Sequence, residues 1–395
     1  TVSLFGNQFS FLALPLAAAL TLHANAAEMG LLGAFQFLPA LLLGLPAGVW
    51  LDRTRRRPIM VASQLVNLAA LATVPAAALL NVFSLPQLYA VAFVTGAANS
   101  FYSIAQSAYL PALAGRENLV EANAKYQTSM TVASLAGPGL AGFLVQVLTA
   151  PIAIAFDAAS FLVGAVTAAW IKAVEPPPAP ATTERHLVRE ARDGLAFLWT
   201  HPLARSITIT IISANMGGRL SGAVFVLLFV SQRGLTPAQL GLSFAAGSLS
   251  SLVGAQVTKP LIDRGRLGAV MVGGAALFAF GIALAVPAAL APRPWIFPIL
   301  VLGNLISGFG LMAYNINQQA IRGSVIPNHM LGRVSAGLFV VVAVGNVAGA
   351  LIGGALGQTI GLFWALVVAS AVSATSVLPA IFSPLRSLRA VPTPE

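Results

Sequence analysis

Two ionisable side chains stand inside long apolar runs: Asp157 in "IAFDAASFLVGA" and Arg219 in "SANMGGRLSGAVF". A lone charge at the centre of an apolar helix costs at least about 2.5–3.5 kcal/mol, so each must face water, a partner or a substrate. A carboxyl group in such surroundings can carry a proton, which makes Asp157, with Ser160 one turn on, a proton-coupling candidate. The alternative is a hydrogen-bonded carboxylate that braces its helix. A guanidinium at this depth suits an anionic or polarised ligand, which makes Arg219 a candidate cavity residue.

Uncharged polar residues extend the set. Asn99, Tyr102 and Gln106 are three and four apart and share one helical face. Asn304, Gly308, Asn315 and Gln318 also fall near one face, Asn215 precedes Arg219 by one turn, and Asn7 and Gln8 lie early in the first apolar run. Such groups either line a polar route or hydrogen-bond between helices, at about 0.6 kcal/mol per contact. A third set lies between apolar runs, in "GVWLDRTRRRPIM", where Asp52 meets Arg53, Arg55, Arg56 and Arg57. Arginines there fix orientation in a membrane. The carboxylate does not, and at a helix boundary it can instead face the positive N-terminus of another helix.

Other chemistries are excluded. His23, His186, His201 and His329 are scattered, with no H-E-x-x-H and no paired carboxylates, and cysteine is absent. These residues predict no catalytic set, no metal site and no cofactor. No G-x-x-x-x-G-K-[ST] occurs, so ATP is not the expected energy source.

The elements that must position these residues follow from composition. Of 395 residues, 57% are hydrophobic and only 8% charged, against about 25% charged in soluble domains. The solvent must be mostly lipid, and the fold class is an all-α polytopic membrane protein. A span needs about 20 apolar residues. Twelve runs qualify: 2–22, 31–51, 59–80, 87–110, 123–148, 151–171, 206–231, 237–258, 268–291, 295–321, 333–356 and 361–382. They are too long and too uniformly apolar for barrel strands.

Eighteen of the 21 basic residues fall in alternate gaps and the tail, Arg233 and Arg293 in the opposite gaps, and Arg219 within a span. This asymmetry predicts that both termini face the cytoplasm. It also assigns the net charge of +10 to membrane orientation rather than to nucleic acid. The partner that composition implies is the bilayer, and the chain is expected to act as a monomer. The longest gap, 172–205, separates six spans (1–171) from six more (206–382) and precedes a tail at 383–395. It opens on a stiff "EPPPAP" spacer. Val188, Ala191, Leu195 and Leu198 then recur at helical spacing, which predicts an amphipathic helix on the membrane surface or, alternatively, a solvated connector.

The chain also repeats itself. Asp52-Arg53-Thr54-Arg55 returns as Asp263-Arg264-Gly265-Arg266, and Tyr102-x-Ile104-x-Gln106-x-Ala108 as Tyr314-x-Ile316-x-Gln318-x-Ala320, at offsets of 211 and 212. Leu119 with Leu331, Gly137 with Gly349 and Gly142 with Gly354 keep the second offset. Two parallel six-span copies place a substrate site near the membrane midplane, where the halves meet.

Twelve spans, the six-plus-six split and the loop after span two resemble the major facilitator superfamily. Its loop signature, G-x-x-x-D-R-x-G-R-[KR], is met by Gly48, Asp52, Arg53, Arg56 and Arg57, with Arg55 where the second glycine is expected. The run "AGPGLAGFLVQ" followed by "FDAASFLVGA" is similar to a bacterial branch of macrolide-efflux and enterobactin-exporting proteins. Gly137, Pro138 and Gly142 match that superfamily's antiporter motif, with Ala141 replacing one glycine.

The resemblance implies proton-driven export of a small amphipathic compound, a drug or a siderophore, by alternating access in a bacterial inner membrane. Import of a nutrient on the same fold stays open, as does a non-transporting sensor or scaffold that reuses it. It implies a conformational latch made by Gly48, Asp52, Arg53, Arg56 and Arg57, with Asp263, Arg264 and Arg266 as its repeat, and a central cavity lined by spans one, four, seven and ten. Many relatives with proton antiport carry an Arg in span four. This chain has none, so their relay does not transfer.

Overall fold

The computed structural model describes residues 2–52, 54–115, 117–171, 187–327 and 330–392. Among these the chain is helical with no strand. Six helices come first: α1 (Val2–Leu20), α2 (Ala26–Asp52), α3 (Arg56–Leu79), α4 (Leu85–Ala114), α5 (Leu119–Leu148) and α6 (Ala150–Ala169). After α7 (Leu187–Thr200) come α8 (Pro202–Val226), which ends in a π-helical turn at Leu227–Gln232, and α9 (Pro237–Asp263). The chain continues as α10 (Leu267–Ala283), α11 (Ala285–Leu290), α12 (Arg293–Val325), α13 (Leu331–Thr359), α14 (Leu362–Thr375) and α15 (Val377–Ile381). Twelve stretches among the described residues are long and apolar enough to cross a membrane: α1 to α6, α8 with its π turn, α9, α10 with α11, α12, α13, and α14 with α15. Several helices run past the apolar residues that signalled them. α12 extends the expected 295–321 to Arg293–Val325, because intrahelical hydrogen bonding does not stop where apolarity does.

Contacts divide the chain into two compact units, Thr1–Arg185 with Thr236–Gly241, and His186–Leu235 with Leu242–Glu395. Within the first, α1 packs on α5 and α6, α3 on α4 and α6, and α2 on α4. Within the second, α8 packs on α13 and α14, and α10 on α12 and α14. The same span positions therefore meet in each copy. Both units also turn alike between their fifth and sixth spans. Thr149 joins α5 to α6 at φ 83°, and Gly361 joins α13 to α14 at φ 88°.

The amphipathic helix expected in the long gap is present as α7, but its apolar face does not lie on lipid. Ala191 and Leu198 are buried, and Leu198 joins a cluster with Ala204, Ile326, Val334 and Leu338. Backbones approach closely on this face: a Cβ at Gly194 would collide with the Arg333 carbonyl, and one at Gly337 would lie 2.9 Å from Leu195 N. An Asp193–Arg333 ion pair at 3.5 Å closes the seam. The expectation of a helix on the membrane surface is thereby corrected: the start of α13 covers the apolar stripe. Val188 contributes a side chain outside the described set, as do residues 172–186.

Candidate functional site

In the first unit, small residues of α1 bring it against the carboxyl group of α6. Ser3, Gly6 and Ser10 share a face, and a Cβ at Gly6 would lie 2.6 Å from Asp157 Oδ1. Asp157 is only 2% exposed. Ser10 Oγ donates to its Oδ2 and Ser160 Oγ donates to its Oδ1 at 3.4 Å. The carboxyl is thus buried but hydrogen-bonded on both oxygens, which is how a polar group is accommodated away from water. Gln64 and Asn67 of α3 line the neighbouring turns. Gln64 lies against Gly164 of α6, and Asn67 Nδ2 donates to Asn99 Oδ1 at 2.9 Å. The Tyr102 hydroxyl faces Ser3 and Gln64, and Gln106 faces Tyr126 of α5. Asn99, Tyr102 and Gln106 thus meet polar groups of α1, α3 and α5. Asn7 is half-buried on α1.

The antiporter-motif glycines are contact glycines. A Cβ at Gly137 would lie 2.6 Å from Gln8 Cβ, and one at Gly142 would strike the Pro237 carbonyl. The Pro138 carbonyl meets Gly241, and Gln146 Oε1 accepts from Ala238 N at 3.3 Å. The segment Thr236–Gly241 packs into the first unit through these contacts.

In the second unit, Arg219 Nε donates to Asn346 Oδ1 of α13 at 3.4 Å. Gly349, one turn on, leaves room for it, since a Cβ there would lie 3.1 Å from Arg219 Cβ. Asn215 and Asn304 donate to their own helices, at Ile211 O (2.8 Å) and Leu300 O (3.0 Å). Gln318 is buried and Asn315 half-buried on α12.

The loop residues separate. Arg57 reaches the C-terminal carbonyls of α6, with Nε to Ala168 O at 3.3 Å and a second bond to Ala169 O. A cation at a helix C-terminus is favourable, so Arg57 is spent within its own unit. Arg56 is half-buried beside it at the start of α3. Thr54 Oγ1 donates to Trp50 O at 3.0 Å, and Arg55 adopts ordinary extended backbone at φ −70°. The missing signature glycine is therefore not needed at 55. In the repeat, Gly265 turns at φ 73°, and Asp263, Arg264 and Arg266 are exposed. Gly48 and Asp52 fall in the last turns of α2, and the side chain of Asp52 and all of Arg53 lie outside the described residues.

The family model described as Major Facilitator Superfamily matches residues 1–292 and 207–395. The chain belongs to the major facilitator superfamily. It is 24% identical over 365 residues to the multidrug efflux pump Tap of Mycolicibacterium fortuitum, covering 90% of this chain and 87% of that protein. It is 27% identical over 353 residues to the enterobactin exporter EntS of Escherichia coli O81 (strain ED1a), covering 86% and 78%. A solved bacterial homologue of the iron transporter ferroportin, in an inward-facing state, superposes at a TM-score of 0.74 with 15% identity, covering 96% of this chain and 95% of that one. As a major facilitator transporter the chain is a multi-pass membrane protein that acts on small molecules from within the bilayer.

Ser10, Gln64, Asn67 and Asn346 of this transporter are not among the residues the sequence pattern singles out. Gln64 and Asn67 sit three apart in an apolar span, and Asn346 interrupts "FVVVAVGNVAGALIGG". Those were usable signals. They fall on the third and eleventh spans, whereas the polar faces of spans one, four, seven and ten drew the reading.

Proposed function

We propose that this transporter exports a small amphipathic compound, a drug or a siderophore, by proton-coupled alternating access. The observation that carries the reading is the Asp157 carboxyl at the α1–α6 seam. Ionised, it accepts from both serines. Protonated, the oxygen that carries the proton donates instead of accepting, and neutral bonds replace charge-assisted ones, so one proton changes how tightly α1 is held to α6. A switch of this kind needs only a few kcal/mol to bias two conformations. Similarity to a multidrug efflux pump and an enterobactin exporter supports the outward direction.

On this reading the six-helix halves 1–171 and 206–382 rock about a midplane site. Arg219 contacts substrate, and Asn7, Gln8, Asn99, Tyr102, Gln106, Asn215, Asn304, Asn315 and Gln318 supply polar contacts along the route. Asp52 and its loop, with the Asp263 loop as a weaker repeat, latch one conformation. The protein works as a monomer in a bacterial inner membrane, with termini in the cytoplasm as the basic-residue asymmetry requires. It is not an enzyme, and it uses no cofactor and no nucleic acid.

The test is a substrate panel in proteoliposomes, with and without an imposed pH gradient. A gradient alone should drive accumulation of at least one amphipathic compound. A strict sodium requirement, or indifference to the gradient, would refute proton coupling.

A further inference from the structure

Residues 383–389, after the twelfth span, pack back on the second unit. Ser206 Oγ of α8 donates to Pro379 O at 2.7 Å and shares a hydrogen bond with Ser383 Oγ at 2.9 Å. Ser383 then caps a short 3-10 turn, Pro384–Ser387, by accepting from Leu385 N at 3.2 Å. Leu385 is 0% exposed, in a cluster with Ile207, Leu267, Met271 and Ile321. The Gly268 N–H donates to Leu388 O at 2.8 Å. These bonds lay the tail across the α9–α10 loop and the start of α10. A Cβ at Gly265 would sit 3.8 Å from both the Cβ and the carbonyl oxygen of Arg389.

The consequence is electrostatic. Arg386 and Arg389 are brought beside Arg264 and Arg266, and all four are exposed. Asp263 is the neighbouring carboxylate and Lys259 adds a further cation on α9. The ion pairs among the described residues, Lys125–Glu121 and Arg333–Asp193, lie elsewhere. Docking thus sets four exposed arginines on one surface formed by the tail and the loop, with net positive charge available to an anion. Beside them Phe382 is 80% exposed and Leu378 50% exposed, at the end of the twelfth span. Exposed apolar side chains at the end of a span are surface that lipid acyl chains cover. A soluble anion has no use for it; a lipid presents acyl chain to one part and headgroup to the other.

We propose that the docked tail and the α9–α10 loop form a binding surface for the headgroup of an anionic phospholipid. Each basic residue near an anionic membrane surface contributes about 1 kcal/mol, about a fivefold gain in affinity. The surface is independent of what is transported and in which direction.

Native mass spectrometry of the purified full chain tests this, with dioleoyl phosphatidylglycerol or dioleoyl phosphatidylcholine added in detergent. Phosphatidylglycerol should be retained in preference, and both Arg386→Gln/Arg389→Gln and Arg264→Gln/Arg266→Gln, each removing two basic residues, should lower its retention roughly 25-fold. Arg189→Gln/Arg192→Gln removes as much charge from exposed positions of α7 and should leave retention unchanged. Thermal unfolding checks that each variant is folded, which exposed arginines favour and a Leu385 substitution would not. Equal retention of the two lipids, equal loss in the α7 variant, or displacement of the lipid by millimolar inorganic phosphate would each overturn the proposal.

Discussion

In the first unit Gly6 of α1 lies against Asp157 and Ser160 of α6. In the second, Gly217 of α8 lies against Ser373 of α14, with Ser370 one turn before it. The correspondence runs along the helices: "GNQFS" at 6–10 matches "GGRLS" at 217–221, and "DAAS" at 157–160 matches "SAVS" at 370–373. Gln8 meets Gly137 in one unit and Arg219 meets Gly349 in the other. The packing is duplicated and the charge is not. The first unit carries a carboxylate on its sixth span and a neutral amide on its first. The second carries hydroxyls on its twelfth and a cation on its seventh. What a duplicated scaffold keeps is close approach of small residues; what it varies is the ionisable group placed at the seam.

Exchanging the groups should break this comparison most visibly. Asp157→Ser makes the first seam a copy of the second. It should abolish gradient-driven transport, down to the level of protein-free liposomes, while substrate exchange without a gradient persists. Loss of exchange as well, with the protein folded, would make Asp157 a brace rather than a coupling group. The converse change, Ser370→Asp, puts a carboxylate where the Ser370 and Ser373 hydroxyls are buried without hydrogen-bond partners among the described residues. It should cost at least about 2.5–3.5 kcal/mol in thermal or denaturant unfolding in detergent. A neutral effect would mean that the second seam already admits charge.

A smaller effect is expected at the seventh span. Arg219→Gln supplies the amide that the first unit has at Gln8. Asn346→Ala removes the group to which Nε donates. Hydrogen bonds to charged groups are worth about 1.5–3 kcal/mol. Arg219→Gln should weaken substrate binding by about tenfold or more, and Asn346→Ala should weaken it less, since the guanidinium remains. Tryptophan fluorescence or scintillation proximity with the purified protein would measure both. Unchanged affinity in Arg219→Gln would retire it as a substrate contact.

The sequence made the spans legible because apolar length is a strong, local signal, and it made the repeat legible because Tyr102 and Tyr314, or Gly137 and Gly349, keep one offset. It made Asp157 and Arg219 conspicuous because a charge in an apolar run is costly. It did not reveal Ser10 or Asn346, since small hydroxyls and single amides are common in membrane helices and only packing shows what they touch. Nor did it show that α7 covers the start of α13. An amphipathic stripe states that a face must be buried, and lipid and protein satisfy that demand equally well.

The finest contrast is in the hinge between fifth and sixth spans. Thr149 has φ 83° and ψ 153°, Gly361 φ 88° and ψ 157°. This region is essentially reserved for glycine, because a Cβ crowds the backbone, and a β-branched side chain crowds it further. Such residues cost of order 1–3 kcal/mol and persist only when the surroundings hold them. Here the surroundings are plain: Thr149 N–H bonds Val145 O at 3.1 Å, Ala153 N–H bonds Thr149 O at 3.0 Å, and each helix fixes its own end. Thr149→Gly should therefore raise stability by about 1 kcal/mol, less than the full relief because glycine also gains freedom in the unfolded chain. Gly361→Thr should lower it by a comparable or larger amount. Thermal unfolding of the two variants in one detergent measures both. If Thr149→Gly proves destabilising, the threonine is held by contacts that the second unit lacks, and the duplicated hinge is not duplicated in energy.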